Sequence, residues 1–290
     1  AYIKIAEGCD NKCTYCAIPL IRGGYRSRPK VDIIAEVKRL AGEGVKEFTL
    51  IAQDTTRYGT DWQEHTALPE LMEKAAAIDG VDWLRVLYCY PDETSQRLLD
   101  VMARHDNICK YLDLPIQHIN DTVLRRMHRR GDSSDIRRCL KLARERGLAL
   151  RTSIIVGFPG ETEEQFQDTL SIVREVGDDS AFTFIYSPRI GTKAAAMEGR
   201  IPDDESTRRI TKLIAEVEAS TAKAHQSMLG MNEMVLVEGL SKRDPGMVSG
   251  KGTRNITVTF KGTSEDIGKI IPVHITSTAV NTLRGERTER

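Results

Sequence analysis

Segments of strand character alternate with segments of helical character along most of this 290-residue chain, and that alternation limits the folds open to it. The apolar segments that read as strands are 2–7, 47–53, 83–90, 111–117, 148–158 and 181–187. Helical spacing of apolar residues occurs at 31–44, 68–78, 92–104, 121–128, 134–146, 161–176 and 203–228. Because parallel strands need a crossover between them, this order predicts an α/β fold with a parallel sheet. Six units predict a partial (β/α)6 barrel over residues 1–228, with its site at the carboxyl ends of the strands.

The pattern changes after Gly230, where short strand-like segments follow one another and no helix is evident. These segments are 234–238, 246–249, 255–260 and 270–276. They predict a second, all-β domain over residues 231–290, built as a small barrel of about five strands. Its first loops contain four basic residues, Lys242, Arg243, Lys251 and Arg254. Such loops can hold a phosphate backbone, and an ordinary solvated surface is the equal alternative.

Three cysteines stand close together just after the first predicted strand. Cys9, Cys13 and Cys16 form a C-x3-C-x2-C run. Three thiolates at this spacing can bind three irons of a [4Fe–4S] cube and leave the fourth iron open to a substrate or cofactor. Zinc and disulfides are the alternatives, but structural zinc usually takes four ligands as two separated pairs. The first residues also carry no signal-like segment that would indicate an oxidising compartment, so the open cluster is favoured.

Charge and hydropathy exclude two kinds of partner. The 42 basic residues equal the 42 acidic ones, which argues against a general polyanion binder. No apolar stretch approaches the length of about 18 residues that a transmembrane helix needs, so we expect no membrane contact and a cytoplasmic location. Three cysteines are scattered singly and are expected to be buried free thiols: Cys89, Cys109 and Cys139. The arginine pairs at 125–126, 129–130 and 137–138 are expected to lie on solvated helix faces, with a contact to ribosomal RNA or tRNA as the alternative.

Beyond the cysteine run, several motifs resemble those of the radical S-adenosylmethionine (SAM) methylthiotransferases. In chain order they are EGCDNKCTYCAIP, RGGYRSRP, AQDTTRYG, LDLPIQH and SIIVGFPGET. The small C-terminal β-domain resembles the domain called TRAM in that family. The resemblance covers nearly the whole chain, and it implies a radical SAM barrel followed by a TRAM-like, OB-like barrel.

Two branches of that family differ in substrate. One modifies an aspartate of a small-subunit ribosomal protein, and the other modifies an adenosine next to the tRNA anticodon. To about Gly160 the chain resembles the first branch, in AQDTTRYGTD and LRVLYCYP, whereas DSAFTFIYSPRIGTKAA and NITVTF resemble the second. Because the barrel mouth carries motifs of the first branch, the resemblance favours a ribosomal protein or the small ribosomal subunit as substrate, with the tRNA anticodon arm as the alternative.

The resemblance also implies the cofactors and the reaction. One [4Fe–4S] cluster on the three cysteines would bind SAM, and a one-electron reductant such as flavodoxin or ferredoxin would supply the electron that cleaves it. Sulfur is then inserted into a C–H bond of the substrate and methylated. Family members carry a second [4Fe–4S] cluster in an additional N-terminal domain. Since this chain begins at the first barrel strand, one cluster is expected within it.

Three residues near the first two strands are candidates for binding SAM. Tyr15 lies between the second and third cysteines and, by resemblance, faces the adenine; ordinary core packing is the alternative. Gln53 and Asp54 end the second predicted strand, where polar groups can receive the amine and ribose of SAM. For Asp54 the alternative is a cap or turn, a role that Asp often has.

Further candidates follow the fourth and fifth predicted strands. Gln117 ends the fourth strand together with His118, for which a structural role is the alternative. Arg151 and Ser153 are two apart on the fifth strand and so share one face. An arginine inside a barrel needs an anion, and the SAM carboxylate is a candidate; an outward arginine paired with a helix carboxylate is the alternative. The turn at 157–160 either approaches the adenosine or simply reverses the chain.

Three classes of function remain open from these residues. The first is a radical SAM enzyme, which the motifs favour. The second is a nucleic-acid-binding protein whose cluster is structural or a sensor, and the third is an interaction domain stabilised by zinc. Colour and SAM cleavage separate the three, because only the enzyme has both.

Overall fold

The protein is described by a computed structural model over residues 1–64, 67–177 and 179–288. Its N-terminal part contains the strands β1 (Tyr2–Lys4), β2 (Ala6–Glu7), β3 (Arg26–Ser27), β4 (Glu47–Ile51), β5 (Trp83–Val86), β6 (Tyr111–Asp113), β7 (Ala149–Val156) and β8 (Ser180–Ile185). The helices are α1 (Ile18–Arg22), α2 (Lys30–Gly42), α3 (Ala67–Ala76), α4 (Gln96–Arg104), α5 (Asp121–Arg126), α6 (Ser133–Glu145), α7 (Glu163–Val176) and α8 (Asp203–Gln226).

The six main strands form one curved parallel sheet. β1, β4 and β5 pair in that order, and so do β6, β7 and β8. The two halves meet where the N–H of Leu84 donates to Asn107 O at 2.8 Å and the N–H of Cys109 donates to Leu84 O at 2.9 Å. In the described part of the chain β8 does not pair with β1, so the barrel is open on that side. The predicted partial barrel is confirmed.

Strand alternation separates a helix-covered face from an inner face. Ile3, Phe48 and Leu150 are fully buried in the core between strands and helices. Their neighbours in sequence point the other way, into the barrel. Charged residues such as Arg85, Asp113 and Arg151 therefore occupy the inner face, where the ends of the strands can present them to a ligand.

Several predicted elements are shorter than the sequence indicated, and for two of them the cause is local. α7 begins at Glu163 because Thr162 is its N-cap and forms a capping box with Gln165. The fourth predicted strand pairs regularly only to Asp113. Beyond it Gln117 has φ 70° and makes a single bridge to Ile154, so the backbone leaves the regular ladder before the strand's predicted end.

The C-terminal part is a closed barrel of five strands. They are β9 (Asn232–Leu240), β10 (Met247–Gly252), β11 (Thr257–Lys261), β12 (Ile270–Thr278) and β13 (Thr282–Arg287), in the order β10-β11-β13-β12-β9. Inward residues such as Val235, Val258 and Phe260 form its own core. The predicted small β-barrel is confirmed, and β13 is a strand that the sequence pattern did not indicate. α8 ends at Gln226 and β9 begins at Asn232, on either side of the predicted domain boundary, which stays a prediction.

One loop of the small barrel contacts the inside of the large one. Arg85, 3% exposed on β5, donates to the carbonyls of Thr253 at 3.0 Å and Gly252 at 3.2 Å. The same guanidinium pairs with Glu47 at 2.6 Å. Lys251 lines the cavity of ≈ 220 Å³ between the barrels, so this basic residue lies at the domain contact and not on a free loop. Within the described residues, no helix has the length and hydropathy needed to cross a membrane.

Candidate cofactor-binding site

The cysteine run lies in a loop after β2, at the carboxyl end of the first barrel strand. Cys9 and Cys13 are 6% and 7% exposed, and Cys16 is half-buried. All three line one cavity of ≈ 400 Å³. Among the described residues, no group of three His, Cys, Asp or Glu side chains is close enough together to hold a single metal ion. A cubane makes a different demand, because each thiolate binds a separate iron.

Gly8 fixes the path of the chain into the first cysteine. Its φ is 81°, and a Cβ placed on it would lie 2.1 Å from Gly24 O. The N–H of Cys9 donates to Gly23 O at 3.0 Å, so the two backbone segments touch directly. Only glycine combines this left-handed conformation with such a close approach.

Replacing Gly8 by alanine is expected to displace the cysteine loop and prevent cluster assembly. The left-handed backbone costs about 1–3 kcal/mol for a residue with a side chain, and the clash with Gly24 adds to it. Iron content and absorbance near 400 nm after anaerobic reconstitution measure the effect. Gly147→Ala is the matched control, because Gly147 has φ 71° but open space around it. Normal iron content in Gly8→Ala would contradict this account of the loop.

Asp54 anchors the cysteine loop to the end of the second barrel strand. Its carboxylate is fully buried and accepts hydrogen bonds from Asn11 Nδ2 at 2.9 Å, Thr56 Oγ1 at 2.6 Å and Arg130 Nη2 at 3.1 Å. Its backbone carbonyl accepts from Tyr25 Oη at 2.8 Å. Burial raises the pKa of Asp54, and the three donors oppose that rise. The geometry thus gives Asp54 a positioning role, and its direct contact with SAM stays a prediction.

Gln53, the residue before Asp54, lines a second cavity of ≈ 400 Å³ that shares Cys9 and Cys16 with the first. Its Oε1 atom is buried, and no described residue donates to it. Such an acceptor fits the ammonium or a hydroxyl group of SAM, both of which donate hydrogen bonds. Asn11 Oδ1, beside the cysteines, is likewise buried and without a partner in the described chain. The residues present therefore fit a cluster with SAM next to it.

Tyr15 lies against an apolar cluster and not in free space. It packs on Val123, Met127, Phe158 and Ala194. Burial raises the pKa of Tyr15 well above its usual value. This is the core-packing role that the sequence offered as the alternative, and Phe158 of the 157–160 turn belongs to the same cluster. A contact with adenine stays a prediction.

Arg151 is inside the barrel, but it already has an anion. Its Nε lies 2.9 Å from Asp113 Oδ1, and its guanidinium stacks over Phe182 at 4.9 Å. It lines the cavity near the small barrel, whereas Gln53 and the cysteines line the cavities at the mouth. Ser153 is half-buried two residues further on, and Gln117 bridges to β7 through backbone bonds. The roles of Arg151, Ser153 and Gln117 toward SAM stay predictions.

His118 belongs to a buried hydrogen-bond network, as in the structural alternative, and a role toward the substrate stays a prediction. It is fully buried, its Nδ1 accepts from the N–H of Asn120 at 2.9 Å, and its Nε2 lies 3.1 Å from Glu161 Oε1. The accepting Nδ1 places the ring proton on Nε2, which donates to the carboxylate. Glu161 in turn contacts Arg209 and the N–H of Gly157, so the histidine holds the turn after β7.

Two arginines that the sequence pattern places on a solvated helix face lie at the barrel mouth. Arg129 and Arg130 follow the end of α5, and Arg129 is only 7% exposed. The Arg129 guanidinium lies 3.7 Å from the ring centroid of Tyr90, a residue that lines the Gln53 cavity. Arg130 pairs with Glu93 at 2.8 Å as well as with Asp54. The expectation of a solvated helix face is wrong for this pair, because helix α5 ends before them and turns them inward.

The three scattered cysteines are buried free thiols, as expected. Burial raises the pKa of Cys109 and Cys139 to about 12 and that of Cys89 higher still. A thiol that stays protonated and covered reacts slowly, so iodoacetamide near neutral pH should label Cys16 first and leave these three unmodified in native, cluster-free protein. Mass spectrometry of tryptic peptides checks this, with urea-denatured protein as the control. Early labelling of Cys109 or Cys139 would show that the core is less closed than described.

An open parallel barrel with three thiols and cavities at its mouth that contain the unpaired acceptors of Gln53 and Asn11 defines a cofactor-dependent α/β-barrel enzyme. A family model described as the radical SAM superfamily matches residues 3–173, more than half of the chain, and one described as the TRAM domain matches residues 226–287. The chain belongs to the radical SAM superfamily and carries a TRAM domain after its barrel.

Relatives extend the match over the whole chain. The protein named ribosomal protein uS12 methylthiotransferase RimO from Pelobacter propionicus is 41% identical over 297 aligned positions, which cover 100% of this chain and 66% of that protein. The protein of the same name from Geotalea uraniireducens is 40% identical over 99% of this chain and 65% of its own length. The chain thus spans just under two thirds of these relatives, and the match includes the half whose motifs resemble the tRNA branch.

Solved structures share the fold at low sequence identity. A radical SAM methyltransferase, TsrM, from Kitasatospora setae, solved with cobalamin and a [4Fe–4S] cluster, has a TM-score of 0.56 and 15% identity over 86% of this chain and 42% of its own. Coproporphyrinogen III oxidase from Escherichia coli has a TM-score of 0.55 and 14% identity over 87% of this chain and 66% of its own. These likenesses concern the fold alone.

Proposed function

We propose that this chain is the catalytic part of a radical SAM methylthiotransferase that modifies an aspartate of ribosomal protein uS12. The observation that supports this most is that two neighbouring cavities share Cys9 and Cys16 as lining residues. All three cysteines line one of these cavities, and Gln53 lines the other. This arrangement sits in a chain that is 41% identical to one uS12 methylthiotransferase over its full length and 43% identical to another over 82% of it.

Each residue has a defined task in that proposal. Cys9, Cys13 and Cys16 bind three irons as thiolates. When bound, the cluster supplies the electron that cleaves SAM. Gln53 accepts a hydrogen bond from SAM through Oε1, while Asp54 holds Asn11 and the cysteine loop in place. Cys9 and Cys13 are only 6% and 7% exposed, so their thiols lie within the wall of the barrel mouth and not on its outer surface.

Two measurements test the proposal. Reconstituted protein should absorb near 400 nm and, with SAM and dithionite, release 5′-deoxyadenosine. In the presence of an added N-terminal domain whose second [4Fe–4S] cluster holds the sulfur and accepts the electron released as the C–S bond forms, and with sulfide, SAM, dithionite and either purified uS12 or a tRNA anticodon arm, it should add a methylthio group to uS12, detected by mass spectrometry. Colour without SAM cleavage would indicate a structural or sensing cluster, and bound zinc without colour an interaction domain. Mass gained only by the anticodon arm would overturn the substrate assignment.

A further inference from the structure

β8 is the last strand of the open barrel, and its second edge pairs with no strand in the described part of the chain. The N–H of Tyr186 donates to Val156 O at 2.8 Å, just past the end of β8. Backbone groups point alternately to the two sides of a strand, so Phe182 and Phe184 also bond toward β7. The N–H and C=O groups of Ala181, Thr183 and Ile185 therefore face the open edge.

Two aromatic side chains stand on the inner face of this strand. Phe182 is paired with Ser153 and Phe184 with Ile155, residues on the inner face of β7. The rings are 52% and 50% exposed, and their centroids are 6.5 Å apart. Ala181, the residue before Phe182 in β8, packs against the core on the opposite face of the strand. The open edge is thus bordered by an exposed apolar surface that faces the barrel interior.

The chain beyond β8 leads from this edge to the cysteines. Gly191, Thr192 and Lys193 line the cavity that contains the three thiols. The N–H of Ala194 donates to Thr14 O, within the cysteine loop, at 2.9 Å. A ligand lying along β8 therefore points with one end toward the site of chemistry.

The chemistry of the edge selects one kind of occupant. Alternating backbone donors and acceptors match the backbone of an extended polypeptide, and exposed aromatic rings match its apolar side chains. A nucleic acid would need cations for its phosphates. β8 itself contains no lysine or arginine, and the nearby Arg151 is already paired with Asp113.

We propose that the free edge of β8 binds the protein substrate as an added strand, with Phe182 and Phe184 covering its side chains. This inference rests on the proposed function in that the substrate is a protein. Beyond that function, the inference specifies which segment of this chain binds the substrate and that binding occurs by strand addition.

Substitutions test the side chains and the backbone separately. With cluster-loaded protein and fluorescently labelled uS12, the double variant Phe182→Ala/Phe184→Ala should raise Kd about tenfold or more. Thr183→Pro removes an N–H that faces the open edge and should raise Kd several-fold, whereas Thr183→Val keeps that N–H and should bind like the parent. Ile190→Ala is a control, since Ile190 is 100% exposed and lies outside β8. Cluster absorbance and thermal midpoint report the folding of each variant.

Hydrogen exchange provides a test without mutation. On addition of uS12, the amides of Ala181, Thr183 and Ile185 should exchange more slowly, while those of Phe182 and Phe184 are protected beforehand by β7. Unchanged exchange at these three amides, or wild-type affinity in the double phenylalanine variant, would overturn the inference while leaving the proposed function intact. If the parent protein does not bind uS12 at all, both fail.

Discussion

A protein in which Cys9, Cys13 and Cys16 are all replaced by alanine is expected to hold almost no iron after anaerobic reconstitution. The parent chain should hold about four irons, because three thiolates suffice for one cubane. The variant should also lack the absorbance near 400 nm and release no 5′-deoxyadenosine. Each single replacement should lower iron content strongly, since all three thiols line the same cavity.

Cys109→Ala is the matched control for this experiment. Cys109 is 1% exposed and lies where β5 meets β6, away from the residues that line the cysteine cavity. It should keep full iron content with a small loss of stability. If the triple variant instead retained iron and colour, the assignment of the cluster to the mouth of the barrel would be wrong.

Replacing Arg209 by methionine is expected to destabilise the barrel by about 3–5 kcal/mol, because it leaves the buried Glu161 carboxylate without its cation. Arg209 Nη1 lies 2.9 Å from Glu161 Oε2, and Glu161 is only 2% exposed. The thermal midpoint should fall on the order of 10 °C. Arg209 is itself 4% exposed, so water does not replace the lost contact.

The neighbouring residue provides a control in the same helix. Arg208 contacts Glu205 and Glu163, as Arg209 does, but its side chain is 39% exposed. Arg208→Met should therefore change the free energy of unfolding far less, because exposed ion pairs contribute little. Equal effects of the two substitutions in urea titrations would show that the buried network of His118, Glu161 and Arg209 is not a major source of stability.

Local patterns were sufficient for the alternation of strands and helices in the barrel and for the proximity of the three cysteine thiols. Alternating strands and helices determine a parallel sheet, and the spacing of Cys9, Cys13 and Cys16 determines three neighbouring thiols, because both depend on residues close in sequence. Other elements did not follow from the pattern. α1 has only five residues and was not predicted, nor was β13, and β6 ends early because Pro115 and the left-handed Gln117 interrupt its ladder.

Residues whose partners are distant in sequence could not be assigned in this way. Asp54 has the position expected of a ligand-binding residue, but Asn11 and Arg130 occupy its carboxylate. Arg151 sits inside the barrel as expected, yet Asp113 of the neighbouring strand supplies its anion. Tyr90 lies in the LRVLYCYP motif and Arg129 in an arginine pair, but neither pattern indicated their contact. They meet at the mouth only because the segment after β5 and the loop after α5 converge there.

The sequence by itself determined the barrel, the small β-domain and the three thiols, since each follows from a periodicity or spacing along the chain. Only the tertiary structure decided which charges are already paired, which strand edge is open and that a loop of the small barrel contacts Arg85. These features depend on which strands become neighbours in space, and hydrogen bonding and burial are properties of those neighbours and not of the local sequence.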